Sequence, residues 1–258
     1  MDLFFDQALA RRYHSRSQAA RVLTETWAKY NMYCPRCGYP RLTHFENNRE
    51  VADFFCSDCK NEYELKSKNG AIGRRISDGA YETFIQRITS ANNPDFLVLS
   101  YDLEALRVNN LWVIPKHFFT PSIVEKRKPL RANARRAGWV GCSILFDQVP
   151  IQGRIGVIRN GTPVNKDDVM KNVERASHLE TSNLNARGWL LDVLNCVNSI
   201  SKEDFSLVDI YKFENKLKVL HPENNNIQAK IRQQLQVLRD KGFLEFLGRG
   251  VYRKKGSL

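Results

Sequence analysis

Two pairs of cysteines constrain the fold of this chain more than any other feature of its sequence. Cys34-Pro-Arg-Cys37 and Cys56-Ser-Asp-Cys59 share the C-x2-C spacing, and 18 residues separate the two pairs. Each pair bends the chain so that two thiolates point at one metal ion, and two such knuckles complete a tetrahedron. The sequence therefore predicts a Zn²⁺ site whose ligands are Cys34, Cys37, Cys56 and Cys59. Because four thiolates leave no position for water, the site should be structural.

The expected compartment decides how the six cysteines are interpreted. Residues 1–10 contain two aspartates and lack the basic start and apolar core of a secretory signal. We therefore expect a cytoplasmic protein, in which disulfides are rare. The alternatives for the two C-x2-C pairs are redox-active thiols or unligated core cysteines. Cys142 and Cys196 lie in apolar stretches and are expected to be small core residues. No apolar run approaches the roughly 20 residues of a membrane span.

The charge balance indicates the type of partner. Lysine and arginine total 40, whereas aspartate and glutamate total 28, which gives a formal net charge of +12 at pH 7. An excess of this size favours a polyanionic partner, most often nucleic acid. The alternative is a basic surface that serves solubility alone.

The pattern of apolar residues predicts two domains in the 258 residues. The first part mixes two helices with several strands, which is typical of an α/β (α+β) domain. The helices are predicted at 17–30 and 78–89, and the strands at 51–55, 63–66, 95–101, 110–114, 139–146 and 153–158. The polar stretch 161–185 is interpreted as a linker, and the first domain is predicted to cover residues 1–182.

The remaining residues, 183–258, have a mostly helical pattern. A helix is predicted over 189–197, and Ser206 and Asp209 have the spacing of a capping box. Ile227, Ile231, Leu235 and Leu238 form a helical apolar stripe. A hairpin follows over 242–252, with its turn at Gly248-Arg-Gly250. Helices followed by a two-stranded wing predict a winged-helix domain, with Trp189 and Phe205 in its core.

Three charged residues near the second cysteine pair form a candidate active site. Ten residues separate Asp53 from Glu64, and Lys66 follows two residues later. On a strand, residues i and i+2 face the same side. If the two predicted strands lie side by side, Asp53 approaches Glu64, and two carboxylates can bind a hard cation such as Mg²⁺. The alternative is a solvated charged strand. Glu25 is expected to be an exposed helix residue, with an extra acidic group near the site as the alternative.

The pattern D-x10-E-x-K resembles the PD-(D/E)xK nuclease superfamily, with Ala52 in the position of the proline. Longer stretches resemble the DpnI family of methyl-directed restriction endonucleases. These matching stretches are 44–49, Val51-Ala-Asp-Phe54, Glu64-Leu-Lys-Ser-Lys68, Asp78-Gly-Ala-Tyr81, Arg127-Lys-Pro-Leu130, Ala134-Arg-Arg-Ala-Gly-Trp139 and 230–241.

The resemblance implies a type II restriction enzyme that cuts double-stranded DNA at G-A-T-C sites carrying N6-methyladenine. It implies a Mg²⁺-dependent catalytic domain with a structural zinc site, and a winged helix that reads the methylated site a second time. Asp53, Glu64 and Lys66 carry over as catalytic residues, with Asp53 and Glu64 as Mg²⁺ ligands. The four knuckle cysteines carry over as zinc ligands, and Trp139 as a residue near the methylated base.

A methyl group on adenine N6 presents apolar surface in the major groove. Trp139 follows Arg135 and Arg136, so these arginines are predicted to hold phosphates or read guanine while Trp139 packs on the methyl group. The alternative is a core tryptophan with arginines on its solvent side.

The last predicted helix carries amides opposite its apolar stripe, and amides suit adenine edges in the major groove. Predicted DNA contacts in this region are Lys230, Arg232, Gln233, Gln236 and, in the wing, Arg249; Asn226 and Tyr252 are further candidates. The alternative is an ordinary polar face.

Two other functions are consistent with parts of the sequence. A non-cleaving, zinc-containing winged-helix regulator would explain the charge, the cysteines and the C-terminal pattern, but it leaves Asp53, Glu64 and Lys66 as a coincidence. A related nuclease with altered specificity is also compatible, because catalytic residues do not read sequence. We expect a monomer in solution, with dimerisation on DNA as an alternative.

Overall fold

The computed structural model describes residues 1–10, 15–46, 52–90 and 92–256. Helices and strands alternate in the first part of the chain. Its elements are α1 (Gln7–Ala10), α2 (Arg16–Asn31), β1 (Thr43–His44), β2 (Phe54–Phe55), β3 (Glu62–Asn69), β4 (Arg75–Ala80), α3 (Tyr81–Thr89), β5 (Asp95–Asp102), β6 (Arg107–Ile114), β7 (Val124–Lys126), β8 (Gly141–Leu145), β9 (Ile155–Arg159), β10 (Thr162–Pro163) and α4 (Lys166–Ser177).

A seven-stranded sheet with the order β1-β2-β3-β5-β6-β9-β10 forms the centre of this α/β region. β3 and β5 run parallel, and the other described neighbours in this sheet are antiparallel. β5 lies in the middle of the sheet and is buried from Asp95 to Tyr101, as its continuous apolar run predicts. The predicted strand 51–55 is shorter in the structure. Val51 lies outside the described residues, as do residues 47–49 of the first matching stretch.

A second sheet, β4-β8-β7, packs beside the first and corrects one prediction. The helix predicted over 78–89 begins only at Tyr81, because residues 75–80 form β4. Ile76 alternates with exposed neighbours and pairs with Ile144 of β8, which is the period of a strand and not of a helix. The register shifts between Asp78 and Ala80, and the pairing ends at Ala80, directly before α3.

The polar stretch 161–185 is not a linker throughout. Residues 166–177 form α4, and the Asn165 side chain caps this helix by accepting the N–H of Asp167 at 2.8 Å. Val169, Val173 and Ala176 are buried along one face. The narrow apolar stripe of α4 lies among charged residues, so the average composition concealed an amphipathic helix.

The rest of the chain is mainly helical, with a small sheet of order β11-β13-β12. Ser206 and Asp209 form the predicted capping box, and the predicted apolar stripe of the last helix is buried. The elements are α5 (Leu184–Ser199), β11 (Asp204–Ser206), α6 (Leu207–Tyr211), α7 (Glu214–Leu220), α8 (Ile227–Asp240), β12 (Leu244–Gly248) and β13 (Val251–Lys254).

The wing differs from the prediction at Tyr252. This residue is buried and packs between Phe205 and Phe246, with ring centroids 5.9 and 5.2 Å away. Tyr252 therefore belongs to the hydrophobic core of this region, where it was expected at the surface of the wing. Trp189 and Phe205 are buried, as predicted.

Polar contacts join the two parts of the chain. The side-chain amides of Gln152 and Asn198 exchange two hydrogen bonds, at 3.1 and 2.9 Å. Asn195 donates to the Gln148 carbonyl at 2.7 Å, and Lys241 donates to the His178 carbonyl at 2.5 Å. Among the described residues, no helix combines the length and the apolar character that crossing a membrane requires. Cys142 and Cys196 are buried in the core, as expected.

Candidate active site and metal centre

The four knuckle cysteines converge as their spacing predicts. The Sγ atoms of Cys34 and Cys59 lie 3.6 Å apart, and those of Cys37 and Cys56 lie 3.5 Å apart. All four sulfur atoms fall within 4.8 Å of one another. Thiolates at this separation match the ligand set of a tetrahedral structural zinc site. The cluster could therefore bind zinc.

The two knuckles share one backbone geometry. The N–H of Gly38 donates to the Cys34 carbonyl at 2.8 Å, and the N–H of Lys60 donates to the Cys56 carbonyl at 3.0 Å. Gly38 and Lys60 both have positive φ, at 75° and 61°. Glycine adopts this φ without the strain that Lys60 accepts in the second knuckle, and a Cβ at Gly38 would displace the flexible Met170 side chain, whose sulfur lies 2.8 Å away. Repetition of the turn aims both cysteine pairs at a common centre.

The surroundings of the sulfur atoms shift the pKa values of Cys34 and Cys56 in opposite directions. Burial raises the pKa of Cys34, whose Sγ lies 3.1 Å from the Tyr63 hydroxyl. Burial also acts to raise the pKa of Cys56, but backbone N–H groups of Cys59 and Asp58 lower it overall. A bound cation would favour the thiolate form at all four positions.

β2 and β3 lie side by side as antiparallel neighbours, and Asp53 directly precedes β2. Phe54 pairs with Tyr63, the residue before Glu64, so Asp53 lies at the end of this pair that is nearest Glu64. The Asp53 N–H donates to the Tyr63 carbonyl at 3.0 Å, which holds Asp53 against β3 before β2 begins. Oδ2 of Asp53 accepts the N–H of Leu65 at 2.7 Å, so the backbone fixes one oxygen of this carboxylate. The chemical roles of these residues remain predictions.

Lys66 lies between two carboxylates. Its Nζ is 2.5 Å from Oε1 of Glu64 and 2.5 Å from Oδ1 of Asp78. Oε2 of Glu64 is 2.7 Å from Nη1 of Arg87 in α3. The side chains of Glu64, Lys66 and Arg87 are only 14, 15 and 16% exposed. Low exposure strengthens these ion pairs relative to surface pairs.

The pKa values of Asp53 and Lys66 are both raised, for different reasons. Burial raises the pKa of Asp53 despite the N–H of Leu65, and the negative charge of Glu25 raises it further. Burial alone would lower the pKa of Lys66, but Glu64 and Asp78 raise it above the ordinary lysine value. The site therefore holds a charged ammonium among carboxylates.

Glu25 is not the exposed helix residue that we expected. Its side chain is 17% exposed and lies 2.6 Å from Nε of Arg21 and 3.4 Å from Nε2 of His44. Its charge acts on Asp53, which places it beside the candidate site. The prediction of exposure was wrong because α2 packs with this face toward β3, and a single helix pattern does not specify which polar residue borders the core.

Sequence reasoning did not identify Asp78 and Arg87 as parts of the site. Both come from elements that the fold brings to β3, namely β4 and α3. Asp78 lies within the family-like stretch 78–81, which is the one signal that could have indicated it.

The loop with Arg135, Arg136 and Trp139 lies next to this site. Trp139 is two residues before Gly141, which pairs with Ala80, the second residue after Asp78. The indole is half-buried and covers Gly141, whose missing Cβ leaves the space that the ring occupies. Arg136 stacks over the indole at 4.7 Å, and both arginines are exposed. Trp139 is therefore neither a core tryptophan nor a free surface residue.

The predicted contacts in the C-terminal part are accessible. Arg232, Gln233, Gln236 and Arg249 are exposed, and Lys230 is half-buried over the Trp189 ring at 5.9 Å. Arg232 Nη1 donates to the Tyr211 hydroxyl at 2.7 Å. Arg249 adopts a φ of 48° at the turn of the wing. Whether these residues contact DNA remains a prediction.

A mixed α/β region with a carboxylate–lysine site, joined to a helix-turn-helix region, is typical of restriction nucleases. Comparison with known families agrees. The DpnI family, described as the Dam-replacing family, matches residues 1–182, and the DpnI_C domain, described as the Dam-replacing HTH domain, matches residues 185–254. The chain belongs to the Dam-replacing (DpnI) family. It is a DNA-binding restriction nuclease of the methylation-dependent class.

Proposed function

We propose that the protein hydrolyses double-stranded DNA at G-A-T-C sites that carry N6-methyladenine, in a Mg²⁺-dependent reaction at Asp53, Glu64 and Lys66. The observation that carries this proposal is the hydrogen bond from Leu65, the residue between Glu64 and Lys66, to the Asp53 carboxylate, together with the contact of Lys66 with Glu64. We assign the catalytic domain to residues 1–182 and the winged-helix domain to residues 183–258. A cytoplasmic monomer that acts on DNA is consistent with this assignment.

The carboxylates of the site suit a hard divalent cation. Oδ2 of Asp53 is held by the N–H of Leu65, so the fixed carboxylate can direct its other oxygen toward Glu64. Two carboxylates on neighbouring strands are the oxygen donors that Mg²⁺ prefers. When bound, Mg²⁺ would offset charge on the scissile phosphate and lower the pKa of its water.

Lys66 supplies the positive charge beside the carboxylates of Asp53 and Glu64. Its ammonium can orient the attacking water and offset the negative charge that develops on the phosphate in the transition state. Arg87 holds the second oxygen of Glu64 at 2.7 Å, which keeps that carboxylate on the same face as Lys66. The chain therefore supplies a fixed acceptor at Asp53 and a fixed cation at Lys66.

A structural zinc ion at the four cysteines would stabilise this arrangement. The second knuckle begins at Cys56, directly after β2 ends at Phe55, and β3 begins shortly after Cys59. The knuckle is thus the connection between the strands that bring Asp53 and Glu64 together. Zinc binding at this connection would contribute directly to the free energy of folding of the β2–β3 pair.

Recognition of methylated DNA is assigned to two surfaces. Trp139 is proposed to contact the N6-methyl group, with Arg135 and Arg136 on phosphates or guanine. In the C-terminal domain we assign base contacts to Gln233 and Gln236. Phosphate contacts there are assigned to Lys230, Arg232 and Arg249.

A panel of short duplexes tests this function. Each duplex carries one site and differs in methylation or in one base of G-A-T-C, and cleavage in Mg²⁺ and the Kd are measured at one salt concentration. We expect cleavage of the methylated G-A-T-C duplex and loss of cleavage when either feature changes. Binding of that duplex without cleavage would instead favour a non-cleaving regulator, and cleavage of all duplexes would remove the proposed specificity.

A further inference from the structure

The structure provides Lys66 with a second carboxylate besides Glu64. Asp78 comes from β4, in a different sheet, and its Oδ1 lies 2.5 Å from Nζ of Lys66. We infer that Asp78 is a positioning residue that keeps the Lys66 ammonium in the site when Glu64 turns to a metal ion. This inference rests on the proposed function and identifies a residue that the function needs beyond Asp53, Glu64 and Lys66.

The local backbone holds Asp78 in place. Oδ1 of Asp78 accepts the N–H of Gly79 at 2.6 Å, and the register of β4 and β8 shifts directly after Asp78. The side chain is 7% exposed. A buried carboxylate that is bound by its own neighbouring N–H has little freedom to follow a moving partner. Asp78 is therefore a stationary anchor for Lys66.

The second carboxylate oxygen of Asp78 is available to accept another hydrogen bond from Lys66. Oδ2 is buried and has no hydrogen-bond partner among the described residues. Buried carboxylate oxygens are normally paired. Lys66 has three N–H donors, and it directs one toward Glu64 and one toward Oδ1 of Asp78. If Glu64 binds a cation, the Lys66 N–H that pointed at Glu64 can donate to Oδ2 of Asp78 instead.

Competition at Glu64 explains why such an anchor is useful. A divalent cation and the Lys66 ammonium both seek Oε1 of Glu64, and like charges repel at this distance. With Asp78 present, Lys66 can leave Glu64 and remain beside the reacting phosphate. Without Asp78, Lys66 has Glu64 as its single carboxylate partner among the contacts described. Each cation would then have to displace Lys66 from it.

The inference predicts a coupling between Asp78 and Lys66 in metal binding. Mn²⁺ binding to the zinc-loaded, full-length protein is measured by calorimetry for wild type, Asp78→Asn, Lys66→Ala and the double variant. We expect Asp78→Asn to weaken Mn²⁺ binding at least about fivefold when Lys66 is present and less than about twofold in the Lys66→Ala background. Equal weakening in both backgrounds would overturn the inference, because Asp78 would then act on the metal directly. No weakening in either would also overturn it.

Cleavage provides a second readout with a matched control. Asp78→Asn should raise the half-saturating Mg²⁺ concentration and lower the single-turnover rate on methylated DNA, while the Kd for DNA and the Tm stay unchanged. The amide oxygen of this variant would still accept the Gly79 N–H, so the turn is preserved. Glu125→Gln removes a carboxylate that pairs with Arg75 on the same small sheet and should change neither quantity. A lowered Tm without a change in Mg²⁺ dependence would reduce Asp78 to a structural residue.

The two experiments separate this inference from the proposed function. A wild-type protein that binds Mn²⁺ but cuts no DNA would contradict the proposed function, while the four-protein cycle would still test Asp78. A wild-type protein that cuts methylated DNA, together with an Asp78→Asn variant of unchanged Mg²⁺ dependence, would contradict only the role of Asp78.

Discussion

The backbone N–H of Leu65 donates to Oδ2 of Asp53 at 2.7 Å. This bond joins the residue between Glu64 and Lys66 to the carboxylate of the residue that precedes β2. The backbone of β3 therefore fixes Asp53 beside the other two candidate catalytic residues, and a substitution at Asp53 that keeps this acceptor should change the chemistry without opening the β2–β3 pair.

Asp53→Asn is predicted to abolish cleavage while it preserves binding. The amide oxygen can still accept the Leu65 N–H, but the lost charge should reduce the single-turnover rate by at least about 10³-fold. The Kd for methylated DNA and the Tm should remain close to wild type. Asp147→Asn is the matched control, since Asp147 pairs with exposed Arg74. Loss of DNA binding together with cleavage would contradict the catalytic role.

Cys34→Ser is predicted to remove zinc and destabilise the fold. Three remaining thiolates leave the tetrahedron incomplete, and zinc binding is coupled to folding. We expect the zinc content to fall from one equivalent toward zero and the Tm to fall by about 10 °C or more. Cys142→Ser is the control, because that buried thiol lies near the Gly79 carbonyl, away from the cluster. A variant with normal zinc content would rule out Cys34 as a ligand.

Trp139→Ala is predicted to reduce the preference for methylated DNA more than the general affinity. The indole provides apolar surface at the edge of the site, whereas phosphate contacts carry no sequence information. Arg135→Ala should reduce the general affinity more than the preference for methylated DNA. It should also lower the slope of log K against log salt concentration by about one. Binding constants for methylated and unmethylated duplexes at several salt concentrations distinguish the two. An unchanged methyl preference in Trp139→Ala would remove this residue from recognition.

Because His117 is buried, we predict that the free energy of unfolding falls in mild acid. Burial lowers the pKa of His117 to about 4, and its Nε2 donates to the Ala176 carbonyl at 2.8 Å. The unfolded chain binds this proton below about pH 6.5, whereas the folded chain does not until about pH 4. The free energy of unfolding should therefore fall by up to about 3 kcal/mol as the pH drops through this window.

Urea unfolding at several pH values checks this prediction. His117→Gln should flatten the slope between pH 6.5 and 5, whereas His178→Gln, at an exposed position, serves as the control. An identical slope in wild type and His117→Gln would show that other groups cause the acid sensitivity.

Local spacing was sufficient to predict part of the site. Each C-x2-C pair is closed by one tight turn, and a short connection through the second pair joins Asp53 to Glu64 and Lys66, so few backbone paths are possible. Asp78 and Arg87 reach Glu64 and Lys66 through the packing of a second sheet and a helix. No short-range period encodes such contacts, and the same packing made Glu25 part of the site.

Errors in the predicted elements have a similar origin. The sequence pattern predicts a helix already at residues 78–80, because β4 and α3 follow each other without a loop that would mark the boundary. The sequence pattern indicates a linker in place of α4, because the apolar stripe of this helix consists of few residues in a charged sequence. In both cases the partner surface, β8 or the central sheet, decides the conformation.

Cleavage of one plasmid with and without adenine methylation at G-A-T-C, in Mg²⁺ and in EDTA, tests the central claim most directly. We predict cleavage of the methylated plasmid in Mg²⁺ and of neither plasmid in EDTA, with Asp53→Asn inactive throughout. Cleavage that ignores methylation, or that persists in EDTA, would contradict this claim.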